Sequence, residues 1–225
     1  MRSLTARTRT SRALLRCTAA GVAAAVALAV AVPQSNADEA AQTIGYVGGS
    51  ITDLAVVGYE DLGGDELWSS EDYPIGGGTI FAWAEPGSTY FTRFDSQIAA
   101  NGAPSSIWWQ LAAHDSDLDG MTSSEVYAVV LDVLGKIRNR VGDIPVHASA
   151  MARYAPETGC YQRGHALAPR RMERMADRLV AGGLVEEGPR MPVLHQKHLD
   201  GATSCHQNEL GQARHGRALL EFFGP

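Results

Sequence analysis

The chain has 225 residues, 45% of them hydrophobic and 20% charged, with 19 Lys and Arg against 25 Asp and Glu. That composition excludes a disordered or low-complexity protein and suffices for one medium-sized domain with its own core. The charge is unevenly spread. Residues 1–16 hold five arginines (Arg2, Arg7, Arg9, Arg12, Arg16) and no acid. Thr18 to Val32 is almost pure Ala, Val and Leu, and Ser35-Asn36-Ala37 offers a small-residue cleavage site. A basic stretch, an apolar stretch and a cleavage site read as a secretory signal peptide over 1–37. The apolar run is short of the roughly 20 residues a permanent membrane span needs. Cys17 precedes that run, whereas a lipidated cysteine would follow it.

Cleavage after Ala37 removes five bases and no acid, which leaves 188 residues, 14 bases against 25 acids, and a net charge near −11. A domain so acidic will not hold a polyphosphate backbone by charge, so no nucleic-acid partner is expected. Export to an oxidising compartment makes one disulfide, Cys160 to Cys205, the simplest account of the two cysteines left; two buried thiols are the alternative.

No repeat and no linker divides residues 38–225, which read as one domain. In chain order, Thr43–Val47 is a short strand-like run that ends in glycines, and Ser106–Leu111 is another, rich in aromatics. Trp108 and Trp109 within it point to opposite faces. Between this run and the next, Ser123–Arg140 sets Val126, Val129, Val130, Val133, Leu134 and Ile137 on one helical stripe behind the capping residues Thr122 and Ser123. Ile144–Ser149 is a third strand. Pro169–Val180 predicts a basic helix with Met172, Met175, Ala176 and Leu179 inward and its four arginines outward. Met191–His195 is the candidate fourth strand. Asn208–Phe223 predicts a closing helix with Leu210, Ala213, Leu219 and Leu220 available for packing. Strands alternating with helices predict a three-layer α/β/α sandwich with a central parallel sheet.

Function in such sheets gathers in loops at the C-terminal strand ends. Ser50 follows Gly48-Gly49 directly after the first strand, where a tight turn lifts its hydroxyl above the sheet edge at a helix N-terminus. Thr52 stands where the α/β-hydrolase elbow G-x-S-x-G requires glycine, so that motif is absent. His206 opens the last helix and can serve as general base to a serine. Gly48-Gly49-Ser50-Ile51-Thr52, Gly77-Gly78-Thr79, Leu111-Ala112-Ala113-His114-Asp115 and His206-x-Asn208-x-x-Gly211 occur in the order of the blocks of the SGNH (GDSL-type) hydrolases, which residues 43–223 thus resemble. Gly49 replaces that family's Asp, His114 its Asn and Gln207 its Pro.

The resemblance implies the SGNH (flavodoxin-like) fold and a secreted, extracellular serine hydrolase that cleaves carboxylic esters. Ser50 is then the nucleophile and His206 the base, and the backbone N–H groups of Ser50 and Gly77 bind the oxyanion. The third donor falls to His114 or Gln110. The family's Asp, three residues before the histidine, is here Thr203; Asp200 is the acid expected to orient His206, with a backbone carbonyl near Thr203 or Ser204 as the alternative. No cofactor or metal is expected, and the partner is a small-molecule, glycan or lipid ester met by a monomer. A non-catalytic binding protein on the same scaffold and an acyltransferase are the other readings.

Asp115-Ser116-Asp117-Leu118-Asp119-Gly120 resembles half of a calcium loop, but Val126 occupies the place of its bidentate Glu, and the stretch reads as an acidic surface loop. His195 and His198 near Cys205 and His206 are poorly spaced for zinc. His147 and His165 read as structural. Trp68, Tyr73, Phe81 and Trp83 either line a pocket beside the second glycine block or pack there.

Overall fold

The strands β1 (Ile44–Val47), β2 (Ser106–Leu111), β3 (Val146–Ala150) and β4 (Glu186–Glu187) lie side by side in that order, all parallel. β1 and β2 are buried along their whole length, which is why their sequences carry no alternation of apolar and polar residues. The computed structural model describes residues 44–161 and 167–225. The leader and His165 lie outside the described residues.

Tyr46, Trp108 and His147 pair side by side across the sheet and so face one way, whereas Trp109 and Ala148 face the other. Both tryptophans are core residues. The helix α1 (Ser50–Glu60) leads from β1 to Leu67, which bridges to Ile44 on the edge of β1 opposite β2. The connection through α4 (Ser123–Val141) and that through α5 (Leu167–Ala181) cross the sheet in the other direction. Right-handed crossovers in opposite directions set their helices on opposite faces, α1 on one and α4 and α5 on the other. The last helix, α6 (Glu209–Phe223), packs along α1 and brings Phe223 against Trp108 and His147, which completes the α/β/α sandwich. Two further helices, α2 (Ile80–Ala84) and α3 (Thr89–Asn101), lie between α1 and β2 in the chain.

Local chemistry accounts for the helix ends. Thr122 and Glu125 close α4 reciprocally, the Thr122 hydroxyl accepting from the Glu125 N–H while the Glu125 carboxylate accepts from the Thr122 N–H. Asn208 caps α6 by accepting from Gly211 N–H.

Three expectations from sequence require correction. The fourth strand is not Met191–His195 but the two exposed residues Glu186–Glu187. Pro192 removes a ladder donor from the later segment, and only Leu194 pairs, through one bridge to Tyr154. Arg171 does not point outward with its neighbours: it is 6% exposed, and its guanidinium donates to the Leu118 and Met121 carbonyls, tying α5 to the loop before α4. Leu210 is not a packing residue, being 63% exposed.

The α1–α6 contact is made by backbone. A Cβ on Gly58 would lie 2.0 Å from the Gln212 carbonyl oxygen, and one on Gly216 2.2 Å from the Gly58 carbonyl carbon. Overpacking of this kind costs roughly 1–3 kcal/mol. Gly216→Ala is therefore expected to lower the unfolding free energy by about 2–3 kcal/mol in urea titration. Gly135→Ala on α4, where a Cβ meets nothing within 4 Å, should be neutral or gain up to about 1 kcal/mol.

Candidate active site

The turn from β1 into α1 is built of groups that only glycine accommodates. A Cβ on Gly48 would fall 2.0 Å from the Thr52 hydroxyl, one on Gly78 2.1 Å from the Gly48 carbonyl, and one on Gly49 3.1 Å from the Gly78 carbonyl. The second glycine block thus crosses the first at backbone contact, and a side chain in place of Gly49 would crowd it. The Trp83 indole N–H locks the crossing by donating to the Gly48 carbonyl at 2.8 Å. Thr52 does what a glycine there could not. Its hydroxyl accepts from the Gly49 N–H at 2.9 Å and donates to the Gln110 side-chain oxygen at 2.7 Å, fixing the turn to β2.

Ser50 is the first residue of α1, so its N–H has no partner within the helix. Its Oγ lies 2.9 Å from Nε2 of His206, across 156 residues of sequence. The two residues singled out from sequence as nucleophile and base are therefore in hydrogen-bond contact. Gly77, His114, Met151 and Tyr161 share a shallow cleft of about 30 Å³ with Ser50. Gly77 has φ +83°, a left-handed conformation that favours glycine.

Of the two candidates for a third donor, the structure brings His114 to the cleft and leaves Gln110 elsewhere. Gln110 is fully buried in β2 with its oxygen bound to Thr52. The His114 backbone N–H donates to the Asp117 carboxylate at 3.1 Å, and its ring Nδ1 lies 3.4 Å from the same oxygen. Asp115 accepts from the Ala168 N–H, so these two carboxylates of the acidic loop hold backbone groups.

Asp200 is placed opposite His206 but not on its ring. Leu199 and Gln207 form an antiparallel bridge, and the Asp200 N–H donates to the His206 carbonyl at 2.9 Å, so the two residues face each other across a small hairpin. Among the described residues, no hydrogen bond or ion pair joins the Asp200 carboxylate to the His206 ring. Cys160 and Cys205 are disulfide-bonded with Cα atoms 5.7 Å apart, which anchors the residue before His206. Closing a loop of 45 residues restricts the unfolded chain by roughly 4 kcal/mol in the loop-entropy account. Beside the bond, Tyr161 adopts φ +52° and packs at a tilt against Tyr154, ring centroids 5.1 Å apart, and the Tyr154 hydroxyl donates to the Cys205 carbonyl. Burial pushes the Tyr161 phenol up to about 12, so it stays protonated in the cleft wall.

Two groups that sequence reasoning missed hold the site from behind. Gln207, buried next to His206, donates through Nε2 to His215 Nδ1 at 2.5 Å and more weakly to the Ile51 carbonyl at 3.4 Å. His215 is fully buried, and its Nε2–H donates to the Pro192 carbonyl at 3.0 Å, which leaves Nδ1 free to accept only while the ring is neutral. This chain joins the residue after Ser50 to the residue after His206. On α1, the Asp53 carboxylate accepts the Ile75 N–H with both oxygens, at 2.9 and 3.0 Å, and so fastens the segment that leads to Gly77. Their only sequence signals were a polar residue on the inner face of α1 and a histidine within α6.

The other singled-out residues are structural here. His195 pairs with Glu157 at 2.9 Å, His198 accepts the His195 N–H, and His147 lies 3.4 Å from Glu186. Trp68, Tyr73 and Trp83 are core residues, and Phe81 packs against them. No helix among the described residues is long and apolar enough to cross a membrane.

No family model matches the chain, and no curated protein matches its sequence. Solved structures do match. A protein from Slackia heliotrinireducens assigned provisionally as an SGNH hydrolase aligns over 82% of this chain and 100% of its own, at 16% identity and TM-score 0.52. The psychrotrophic esterase EstA from Pseudoalteromonas sp., in a structure inhibited by monoethylphosphonate, aligns over 81% of this chain and 96% of its own, at 13% identity and TM-score 0.48. The first likeness and the sheet order establish an SGNH-like fold.

Burial sets two opposed pH dependences. It holds the His215 ring down at about 4, against an ordinary 6.5. Between those values the unfolded chain takes up a proton that the folded chain refuses, so stability complete above 6.5 is lost as pH falls, by roughly 3 kcal/mol at the limit. Burial raises the Asp53 carboxyl from 3.8 to about 7, with the Ile75 hydrogen bond and Arg93 opposing the rise. Its contribution is complete below 3.8 and is lost as pH rises through 7, so the two groups offset each other across mildly acidic pH. Asp53→Asn removes the compensation. Urea unfolding at pH 7, 5.5 and 4 should show the variant losing stability toward acid more steeply than the parent chain; parallel curves would contradict the assignment.

Proposed function

We propose that this protein is a secreted serine hydrolase of SGNH type that cleaves carboxylic esters through an acyl-enzyme on Ser50. The observation that carries the reading is the 2.9 Å contact between Ser50 Oγ and His206 Nε2, with Ser50 opening α1. The basic and apolar leader, together with a disulfide, supports export.

In this reading His206 Nε2 accepts the Ser50 proton as Oγ adds to the ester carbonyl carbon. Negative charge then develops on the carbonyl oxygen, where the N–H groups of Ser50 and Gly77 receive it. The tetrahedral adduct collapses as His206 returns its proton to the alcohol oxygen, and water repeats the sequence to release the acid. His206 must present neutral Nε2 to the hydroxyl and therefore carries its proton on Nδ1. Asp200, directly across the hairpin, is the carboxylate that a side-chain rotation would bring to that proton. His114, at the cleft wall, supplies the third donor in place of an amide.

Ser50→Ala is expected to abolish hydrolysis of p-nitrophenyl acetate and labelling by a fluorophosphonate probe while the thermal melt is unchanged. Turnover persisting in that variant would remove Ser50 from the mechanism. His114→Ala should lower kcat with little change in KM, because the donor is needed only as charge develops; a lost oxyanion donor costs on the order of 10²–10³ in rate. A rise in KM at constant kcat would instead make His114 a ground-state contact.

A further inference from the structure

His206 is exposed, and among the described residues its ring has one hydrogen-bond partner, Ser50. A base held by a single contact to its own nucleophile is located by the chain on either side of it. Cys205 on one side is fixed by the disulfide. Gln207 on the other is 3% exposed and turned inward where His206 turns outward, as neighbours in an extended hairpin alternate. Its stem lies against the first turn of α6, where a Cβ on Gly211 would meet the Gln207 Cβ at 2.8 Å. Its carboxamide ends at His215, to which Nε2 donates. The contact with the Ile51 carbonyl is long, and Oε1 has no partner among the described residues.

His215 sits at a fully buried position of α6. Burial alone would be met there by leucine; the imidazole contributes two nitrogens, and both are used. The Pro192 carbonyl takes the Nε2 proton, which fixes the tautomer and turns the Nδ1 lone pair toward Gln207. Burial keeps the ring neutral down to about 4, with the Pro192 hydrogen bond opposing that effect and Arg214 and His198 adding to it. The acids of α1 face elsewhere, Asp53 toward the Ile75 N–H and Glu60 toward Ser70. Nδ1 is thus a standing acceptor at any pH where His206 can act as a base.

We infer that His215 is a positioning residue for ester hydrolysis: as an acceptor at Nδ1 it holds the Gln207 carboxamide, and through Gln207 it sets where His206 meets Ser50. It touches neither the substrate nor the reacting atoms. Without that acceptor a buried carboxamide would have its oxygen unpaired and its nitrogen dependent on the long Ile51 contact. Such a group turns toward water, and the residue beside it moves with it. A displacement of about 1 Å in a catalytic group costs on the order of 10²-fold in rate. The loss falls on kcat, because the base acts as the Ser50 proton leaves and not in holding the ester. This inference rests on Ser50 and His206 being the nucleophile and base of a hydrolase.

The test measures kcat, KM and urea unfolding together, with p-nitrophenyl acetate near neutral pH. His215→Leu should lower kcat about tenfold or more while KM stays within about twofold. His215→Asn, whose Oδ1 accepts close to the place of Nδ1, should recover most of that loss. The paired variant Gln207→Leu/His215→Leu replaces both partners by apolar groups, so it should regain stability over His215→Leu without regaining kcat. A residue that served the fold alone would move kcat and stability together. Should His215→Leu not fold, Gln207→Met, which removes the donor and leaves the His215–Pro192 bond in place, carries the same expectation for kcat. The positioning role is overturned if a folded His215→Leu or Gln207→Met keeps the parent kcat, if His215→Asn is no faster than His215→Leu, or if kcat returns with stability in the paired variant. Each of those results leaves the hydrolase reading standing. No ester turnover and no fluorophosphonate labelling by the parent chain would refute that reading, and this inference with it.

Discussion

The site depends on how closely two helices can approach. Ser50 begins α1 and His206 lies just ahead of α6, so the distance between hydroxyl and imidazole is set by the spacing of these helices. Gly58 and Gly216 let the backbones touch, and side chains on either would push the helices apart. Because a hydrogen bond weakens steeply beyond about 3.2 Å, a shift of one side-chain radius would break the Ser50–His206 contact without unfolding anything. The Gln207–His215 chain trims the same interface from the site side, and the disulfide does so from the outer edge. Three different kinds of interaction thus act on one separation.

A second close approach shapes the cleft beside Ser50. The Gly48-Gly49 turn and Gly78 cross with no side chain between them, held by the Trp83 indole and by Asp53. Two features that depart from familiar patterns lie at this crossing. Gly49, where the resembled family has an acid, lies with its Cβ direction 3.1 Å from the Gly78 carbonyl, so any side chain there needs that strand of backbone to give slightly. Thr52, which breaks the elbow pattern of another hydrolase class, is the residue whose hydroxyl satisfies the turn.

The parts of this architecture legible in the sequence are those that local patterns encode. β1, β2 and β3 appear as short apolar runs because a parallel sheet buries both faces, and α4 appears in full because its stripe and its Thr122–Glu125 cap are written within a few residues. β4 was not legible: two exposed glutamates carry no burial signal, and the apolar segment after them contains Pro192 and pairs only through Leu194. Ser50 and His206 could be picked out because their residue types and order matched a known pattern. Their supports could not. The partners of Asp53 and Arg171 are backbone groups distant in sequence, and no spacing rule links the glutamine after His206 to a histidine eight residues on. The Asp200–His206 relation was half legible, since the sequence supplied a nearby acid but not the hairpin register that sets the two face to face.

The separation of 156 residues between the two contacting side chains has a kinetic meaning. Contacts between residues distant in sequence form late, because the loop they close has to be ordered before they contribute stability. The sheet from β1 to β3, with the helices of its own crossovers, closes shorter loops and can assemble ahead of α6. The hydroxyl and the imidazole therefore meet only when α6 docks on α1, and recovery of the Ser50–His206 contact reports the docking of that one helix.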